Sequence, residues 1–218
     1  MEDRAGRVRV SEVYASVQGE STHVGKPCVF VRLTGCNLRC TWCDSAFSFT
    51  GGQWRDVEDV VAEVATFGLR TVEVTGGEPL VQKGAFTLLR RLVEEGYEVL
   101  LETSGSRSIE HVPEGVHVIL DFKPPDSGEA RANLWENVAW LDAGDEVKFV
   151  IASRGDYEWA REVVARHGLA ARCPVLFSPA WGRVDLAEMA RWIVEDRLPV
   201  RFQVQLHKVV WGADAQGV

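Results

Sequence analysis

The sequence predicts an α/β fold in which about six parallel strands form an incomplete, TIM-like (β/α) barrel. The first observation behind this prediction is that strand and helix patterns alternate along the chain. Repeated strand–helix units imply a parallel sheet with right-handed crossovers. The second is a short link, because residues 103–115 include Pro113 and Gly115 and are too few and too broken for a full crossover helix. A reduced connection is therefore predicted there.

The predicted strands are short runs of apolar and β-branched residues, and they cover residues 28–33, 71–75, 97–102, 116–121, 146–151, 174–177 and 201–206. Between them, apolar residues recur at helical spacing and predict helices near residues 57–67, 84–95, 156–167 and 185–195, with a short helix within 130–141. Asp56 is suited to cap the first helix and Gly68 to end it.

Length and charge narrow the possible functions. A chain of 218 residues fits one domain, predicted to span residues 1–218. The net charge of −8 gives no global basic field, so nucleic acid is not an expected partner and a small-molecule substrate is favoured. The polar start of the chain lacks the apolar core of a signal peptide, and no run approaches the roughly 18 apolar residues of a membrane helix. We therefore expect a cytoplasmic protein without a membrane partner.

One short loop carries Cys36, Cys40 and Cys43 with the spacing Cys-x3-Cys-x2-Cys. Three thiolates can bind three irons of a [4Fe-4S] cluster, because iron–sulfur clusters take cysteine thiolate ligands. The loop offers no fourth cysteine, so one iron is left open to a small molecule. That open iron indicates a radical enzyme rather than an electron carrier.

The cysteines also allow a plainer interpretation. A structural zinc could be held by the three loop cysteines and His23, although the sequence has no second Cys-x2-Cys knuckle. Cys28 and Cys173 stand alone in apolar runs and are expected to be buried small hydrophobes. A disulfide framework is not expected, because 5 cysteines in 218 residues are sparse and odd in number.

Other unusual residues follow predicted strands at their carboxyl ends, where the chemistry of barrel sheets gathers. They are Gly-Gly-Glu after Thr75, Thr-Ser-Gly after Glu102, Phe-Lys-Pro-Pro after Asp121 and Ser-Pro after Phe177. Glycines let the backbone approach a ligand closely, and the Glu78 carboxylate beside them can hold an ammonium group. This shared placement predicts one site built from several strand ends.

Motifs extend over nearly the whole chain, from residue 12 to residue 211. They are Val17-Gln-Gly-Glu20, Phe30-Val-Arg-Leu33, Gly35-Cys-Asn-Leu-Arg-Cys-x-Trp-Cys-Asp44, Thr75-Gly-Gly-Glu-Pro-Leu80, Glu102-Thr-Ser-Gly105, Asp121-Phe-Lys-Pro124 and Gln205-Leu-His-Lys208. Together they resemble the 7-carboxy-7-deazaguanine synthases, a family of radical S-adenosylmethionine (SAM) enzymes. The cysteine spacing is shared by many radical SAM enzymes, whereas Gln-Gly-Glu, Trp-Cys-Asp and Gln-x-His-Lys are narrower signals.

The resemblance implies a specific reaction. Synthases of this family convert 6-carboxy-5,6,7,8-tetrahydropterin to 7-carboxy-7-deazaguanine with release of ammonia, on the route to queuosine and other 7-deazapurines. A reduced [4Fe-4S] cluster cleaves SAM, and the resulting 5′-deoxyadenosyl radical takes hydrogen from the substrate and later returns it. SAM is therefore used catalytically, and the protein positions the cofactors and excludes side reactions. Magnesium is the third cofactor that the resemblance implies.

The resemblance also assigns roles to residues. Cys36, Cys40 and Cys43 would bind the cluster. The SAM site would comprise Trp42, Cys43, Asp44, Gly76, Gly77, Glu78, Ser104, Asp121, Phe122, Lys123, Ser178 and Pro179. The substrate site would comprise Val17, Gln18, Gly19, Glu20, Arg32, Thr75 and His207, with Lys208 beside it. Arg32 suits the pterin carboxylate because its guanidinium fork can bind both oxygens; outside this context it would be a solvated strand residue.

Two positions depart from the family pattern. Ser45 stands where threonine is usual and is the expected magnesium ligand; it keeps the hard oxygen donor but loses the methyl group. Ser21 stands where glycine is common, which is expected to stiffen the loop around the substrate.

The sequence also favours two partners and leaves two alternative functions open. Surplus aromatic residues and the resemblance favour a homodimer, and an external reductant such as flavodoxin or ferredoxin is expected for the cluster. An activase that makes a glycyl radical on a partner protein is the alternative enzyme, because such chains share the cysteine spacing and a similar length. An iron–sulfur or zinc-binding module without enzyme activity is the alternative outside enzymes.

Overall fold

The computed structural model describes residues 4–217; residues 1–3 and 218, which belong to the predicted domain of residues 1–218, lie outside the described part. Within residues 4–217, nine strands form one sheet: β1 (Arg7–Val17), β2 (Pro27–Leu33), β3 (Gln53–Asp56), β4 (Thr71–Gly76), β5 (Glu98–Thr103), β6 (Val116–Asp121), β7 (Glu146–Ile151), β8 (Val175–Pro179) and β9 (Arg201–Phe202). The order across the sheet is β3-β1-β2-β4-β5-β6-β7-β8-β9, so the sheet is not closed. From β2 to β9 every neighbouring pair is parallel, whereas β1 pairs antiparallel with both β2 and β3.

The helices of the described part are α1 (Val57–Thr66), α2 (Lys83–Glu94), α3 (Arg154–His167), α4 (Leu186–Glu195) and α5 (Leu206–Trp211). Side-chain caps fix two helix starts: Ser153 Oγ accepts from Asp156 N at 3.2 Å, and Asp185 Oδ1 accepts from Glu188 N at 2.8 Å. Asp56 occupies the N-cap of α1 as predicted, but its side chain makes no cap hydrogen bond and pairs with Arg7 at 3.1 Å instead.

The two faces of the sheet differ in polarity, because successive side chains of a strand point to opposite faces. On one face, residues such as Val74, Leu101 and Phe149 join an apolar cluster with residues of the helices, for example Leu88. On the other face, the same strands carry residues that are charged or polar and nevertheless buried: Glu73, Thr75, Asp121, Glu146 and Lys148. Covered parallel sheets usually have apolar residues on both faces. The polar face therefore indicates an internal cavity.

The structure confirms the reduced connection: residues 104–115, all of them described, contain no helix. The predicted short helix within 130–141 consists of two 3-10 turns, Ala130–Ala132 and Trp135–Trp140.

The predicted last strand is wrong beyond Phe202, because β9 ends there and the chain enters α5 at Leu206. Contacts with the loop after β1 explain the change. The Gln203 side chain bonds both the amide (2.8 Å) and the carbonyl (2.6 Å) of Ser21, and the Leu206 amide donates to the Gly19 carbonyl at 2.9 Å. The segment therefore folds over the edge of the sheet instead of extending β9.

No helix in the described part is long and apolar enough to cross a membrane.

Candidate active site

A cavity of about 490 Å³ opens at the carboxyl ends of the parallel strands, on the polar face of the sheet. Its walls bring together the cysteine loop after β2, the glycines after β4, the ends of β5 and β6, the loop after β1 and the start of α5. A site at this edge is what a sheet of parallel strands favours. The volume is in the range of pockets that hold a small molecule or cofactor.

The cysteine loop forms one wall of the cavity. Cys36, Cys40 and Cys43 all line it, all are partly buried, and all are free thiols. Burial raises the pKa of Cys36, and it raises that of Cys40 to about 11. Cys36 and Cys40 are therefore protonated at neutral pH on their own, and a bound metal would deprotonate them. Cys28 and Cys173 are buried elsewhere, as predicted.

Gly76 and Gly77, at the end of β4, pack so closely on the end of β2 and the cysteine loop that no other residue fits. A Cβ on Gly76 would lie 2.2 Å from the carbonyl oxygen of Leu33, and a Cβ on Gly77 would lie 2.5 Å from that of Gly35 and 2.7 Å from the Cβ of Cys36. Gly76 also has a φ of +152°, in the region that favours glycine. The backbone after β4 thus sets the position of the first cysteine.

Glu78 links the strand ends behind this wall. Its carboxylate is fully buried and accepts hydrogen bonds from Leu80 N at 2.9 Å, Thr103 Oγ1 at 2.9 Å and Ser104 N at 2.8 Å. These donors satisfy the oxygens of a carboxylate that is withdrawn from water. In this structure Glu78 ties the turn after β4 to the end of β5, and it is not among the residues that line the cavity.

Most residues of the predicted sites lie on the cavity wall. From the predicted SAM site these are Trp42, Cys43, Asp44, Gly76, Gly77, Ser104, Asp121 and Lys123, and from the predicted substrate and magnesium sites they are Val17, Gln18, Gly19, Glu20, Arg32, Thr75, His207 and Ser45. Glu78, Phe122, Ser178 and Pro179 are not part of the lining. The Phe122 ring packs 4.7 Å from the ring of Trp135 in the apolar core.

Lys148 is the centre of the charged network inside the cavity. The side chain is almost completely buried, and its Nζ contacts carboxylates from three different segments: Glu20 at 2.8 Å, Glu102, and Asp121 at 3.4 Å. Burial alone would lower the pKa of Lys148, but the carboxylates of Glu102, Glu20 and Asp121 raise it well above its usual value. The lysine is therefore charged at neutral pH.

The pKa of Glu20, which pairs with Lys148, shifts in the opposite direction. Burial would raise the pKa of Glu20, but Lys148 and the Gln205 amide, which donates to Glu20 at 2.8 Å, lower it to about 2. Asp121 also pairs with Lys123 at 2.9 Å, yet its Oδ1 is buried and has no hydrogen-bond partner among the described residues. Such an oxygen fits a bound group that presents a donor, because unpaired buried acceptors are costly.

The pKa of Glu73 is raised, in contrast to that of Glu20. Glu73 lies on β4, almost fully buried, and accepts a hydrogen bond from the Gln18 side-chain amide. Burial and the charge of Glu102 raise the pKa of Glu73 to about 8. At neutral pH this side chain is therefore largely a neutral carboxylic acid that can donate a hydrogen bond.

Arg32 reaches the cavity from β2 and is held on one side by protein groups. Its Nε donates to Glu12 at 2.7 Å, and its Nη2 donates to the Tyr14 hydroxyl at 3.0 Å. The guanidinium also lies 5.6 Å from the centre of the Phe47 ring. These contacts orient the guanidinium plane, and orientation of this kind suits recognition of a carboxylate.

The C-terminal segment covers part of the cavity. Lys208 Nζ binds the Asp44 carboxylate at 2.6 Å, which connects α5 to the residue directly after the third cysteine. His207 packs against Gly19 so tightly that a Cβ there would lie 2.1 Å from His207 Nδ1. The two motifs at opposite ends of the sequence thus meet at one place.

His23 is not near the cysteine loop. It lies beside His117, with ring centres 4.6 Å apart, near the amino-terminal ends of β5 to β7. The zinc alternative in which His23 completes a site with the three cysteines is therefore not supported by the structure.

The charged residues in the interior of the sheet were not predicted from the sequence. Glu73, Glu102 and Lys148 line the cavity, but none was predicted as a site residue. A signal was present, since Val-Glu-Val-Thr (residues 72–75) and Glu-Val-Lys-Phe (residues 146–149) alternate polar and apolar residues. In a sheet whose strands are parallel, that alternation cannot come from a solvated face and indicates a polar interior.

Comparison with known proteins agrees with this geometry. The family model for the radical SAM superfamily matches residues 30–121, which include the cysteine loop and the strand ends around it. The QueE of Escherichia coli has a solved structure with a TM-score of 0.76 at 21% identity, covering 92% of this chain and 95% of that one. Fold and site together define a radical SAM protein.

Curated relatives identify the family within that class. A 7-carboxy-7-deazaguanine synthase of Koribacter versatilis is 45% identical, over 97% of this chain and 100% of the relative. Another, from Chlorobaculum tepidum, is 42% identical over 97% of each chain. The chain belongs to the 7-carboxy-7-deazaguanine synthase family. It is accordingly an enzyme whose cofactors are a [4Fe-4S] cluster and SAM.

Proposed function

We propose that this chain catalyses the ring contraction of 6-carboxy-5,6,7,8-tetrahydropterin to 7-carboxy-7-deazaguanine, with release of ammonia and with SAM used catalytically. The observation that carries the proposal is the full-length similarity to synthases of this name, combined with a charged cavity directly beside the three cysteines. A protein substrate of the kind that an activase needs would require a groove, whereas this cavity has the size of a small polar ligand.

The cysteine wall fits a cluster and SAM. Three partly buried thiols on one loop provide the ligand set, and the close packing of Gly77 on Gly35 and Cys36 holds that loop in position. Bound together, the cluster and SAM supply a carbon-centred radical that removes a hydrogen atom from the substrate. The Asp121 Oδ1 atom, buried and without a partner among the described residues, is available to a donor of the cofactor. Ser178 Oγ, at the end of β8, is also buried and without a hydrogen-bond partner among the described residues.

We assign substrate binding to the opposite wall. Arg32, oriented by Glu12 and Tyr14, would bind the pterin carboxylate. Glu20 is held as an anion by Lys148 and would accept hydrogen bonds from the donor edge of the pterin ring. Glu73, neutral at physiological pH, would donate to a ring acceptor. A pterin presents both donors and acceptors, so one charged and one neutral carboxyl group together are complementary to it.

We assign magnesium to the hydroxyl of Ser45. Its Oγ lies 3.7 Å from Cys43 Sγ, on the cavity wall. A serine rotates more freely than a threonine because it lacks the β-methyl group. We expect Ser45→Thr to lower the magnesium concentration that gives half-maximal activity, and a titration with magnesium measures this. An unchanged or higher requirement would remove Ser45 from the magnesium site.

We further propose that the open sheet is the partial barrel of a single radical SAM domain spanning the chain. A homodimer is proposed because Val209, Val210 and Trp211 on α5 are each at least half exposed, and apolar groups of this kind are typical of interfaces. Light scattering coupled to size exclusion tests it. Flavodoxin or ferredoxin is proposed as the reductant, and the cytoplasm as the compartment, since the thiols must stay reduced.

The test is an anaerobic assay of the reconstituted protein with 6-carboxytetrahydropterin, SAM, a reductant and magnesium, followed by mass spectrometry. We expect many turnovers of 7-carboxy-7-deazaguanine without proportional loss of SAM, and no product from Cys40→Ser. Formation of 5′-deoxyadenosine without this product would favour an activase or another substrate. Failure to cleave SAM with a full cluster would overturn both.

A further inference from the structure

Two histidines and a buried glutamate meet on the sheet at the end opposite to the cysteine loop. His117 is the second residue of β6, Glu146 is the first residue of β7, and His23 lies in the connection between β1 and β2. One potential ligand atom from each residue lies within 4.8 Å of those of the other two. His117 Nε2 is 2.8 Å from Glu146 Oε1. A small shift of these side chains would allow all three to bind one ion.

The surroundings are typical of a metal site. Glu146 is completely buried, and among residues 4–217 its carboxylate contacts only a neutral donor and the His117 ring: the Thr22 amide lies 3.0 Å from Oε2 and 3.2 Å from Oε1. Fully buried carboxylates usually have a cationic partner or coordinate a metal. Lys26, a cation close to His23, does not neutralise Glu146, because its Nζ binds Glu98 at 2.8 Å.

Glu98 holds the ring of His23 from outside the cluster, with Oε1 3.2 Å from His23 Nε2. Metal-binding histidines commonly donate their second ring N–H to a carboxylate, which fixes the tautomer and leaves the other nitrogen for the metal. Burial, His117 and Lys26 lower the pKa of His23, which favours the neutral ring that a metal requires.

We propose that His23, His117 and Glu146 form a binding site for a divalent transition metal, with zinc as the preferred ion. Two imidazoles and one carboxylate are a ligand set that zinc accepts, with water in the remaining position. This site is separate from the cluster: His117 and Asp121 lie four residues apart on β6, which corresponds to about 13 Å at the strand rise of roughly 3.3 Å per residue. The proposal is independent of the proposed function.

The ion would act on the loop that carries the predicted substrate residues. That loop is a tight connection, since the Gln18 amide donates to the Lys26 carbonyl at 2.8 Å and the Gly25 amide donates to the Gln18 carbonyl at 2.8 Å. His23 lies at its far side. A metal bound there would fasten the loop to β6 and β7, and would limit the movement of Gln18 and Glu20 at the cavity. The site is therefore structural rather than catalytic.

The test uses the cluster-loaded protein, so that iron already occupies the three loop cysteines. After anaerobic equilibration with zinc in a weakly chelating buffer, zinc and iron per chain are measured by mass spectrometry. We expect about one zinc per chain in the wild type and at least a tenfold lower content in His23→Gln and His117→Gln. His111→Gln is the matched control, because His111 is exposed on a turn; its zinc and iron should equal those of the wild type.

X-ray absorption at the zinc edge provides a second, independent readout. We expect only nitrogen and oxygen neighbours at about 2.0–2.2 Å, and no sulfur at about 2.3 Å. Wild-type protein without zinc, equal zinc in His23→Gln, or a sulfur neighbour would each overturn the proposal. Should His117→Gln fail to fold, as circular dichroism would reveal, His23→Gln decides the question, because His23 lies in a connection outside the sheet.

Discussion

Replacement of Lys148 by methionine tests the charged interior directly. Methionine is nearly as long as lysine but lacks the ammonium group, which contacts the carboxylates of Glu20, Glu102 and Asp121. The shift of the Glu20 pKa from 4.5 to about 2 corresponds to about 3 kcal/mol of stabilisation at neutral pH. Loss of one partner of a buried ion pair typically costs about 3–5 kcal/mol. The free energy of unfolding should therefore fall by about 3 kcal/mol or more in Lys148→Met.

Urea unfolding of the cluster-loaded protein, followed by far-UV circular dichroism at equal iron content, measures the effect. With a slope of about 2–3 kcal/mol/M, we expect the midpoint at pH 7 to fall by about 1 M or more. Arg166→Met is the control, because Arg166 is exposed and its distance to Glu162 is 3.8 Å; exposed pairs contribute about 0–1 kcal/mol.

The stability difference between Lys148→Met and the wild type should depend on pH. Without Lys148, burial should raise the pKa of Glu20, so the variant should regain stability as the pH falls from 8 to 5 and this carboxyl group takes up a proton. The difference from the wild type should therefore narrow. A midpoint equal to that of Arg166→Met at pH 7, or a difference that does not depend on pH, would refute the reasoning.

Three further changes have defined outcomes. Gly77→Ala places a Cβ 2.7 Å from that of Cys36, so iron per chain should fall severalfold, whereas Gly155→Ala, whose Cβ meets nothing closer than 3.5 Å, should leave iron unchanged; equal iron in both would contradict the packing argument. Cys173→Ser should retain the full iron content, because Cys173 is buried away from the cavity; loss of iron would show that it takes part in cluster binding. The pKa of Glu73 is raised from 4.5 to about 8, so this group destabilises the fold as the pH rises through that window; Glu73→Gln should therefore be more stable than wild type above about pH 8, by up to roughly 5 kcal/mol, and gain nothing below pH 4.5. Thermal unfolding of the two proteins across this pH range measures the effect. A difference in melting temperature that stays constant with pH would contradict this last prediction.

The elements that local sequence determines were predictable. Strands β6 and β7 have the predicted bounds, and α3 and α4 begin within two residues of theirs, because β-branched runs and helical spacing are local signals. The cysteine loop and the glycines after β4 were also evident, since their chemistry requires particular residue types at fixed spacing. These signals do not depend on distant parts of the chain.

What sequence reasoning missed depends on long-range contacts. The N-terminal strand β1 spans Arg7–Val17 and pairs with β2 and β3, but no strand was predicted there. Polar and apolar residues alternate over residues 7–10, but the burial pattern is irregular from Ser11 onward, so the period-2 signal covers only four residues of this strand. The end of β9 was likewise set by Gln203, which bonds a loop 182 residues earlier in the chain. Pairings of this kind leave no local mark.

The difference in polarity between the two faces of the sheet also bears on how the chain folds. When a strand pairs one residue out of register, each of its side chains moves to the other face of the sheet. Such a shift of β4 would place Glu73 in the apolar cluster with Leu88 and move Val74 into the cavity. An unpaired carboxylate in an apolar environment costs several kcal/mol. The charged residues that prepare the cavity for a ligand therefore also specify the register of the sheet during folding. Each of them destabilises a sheet whose strands pair out of register, before any ligand is present.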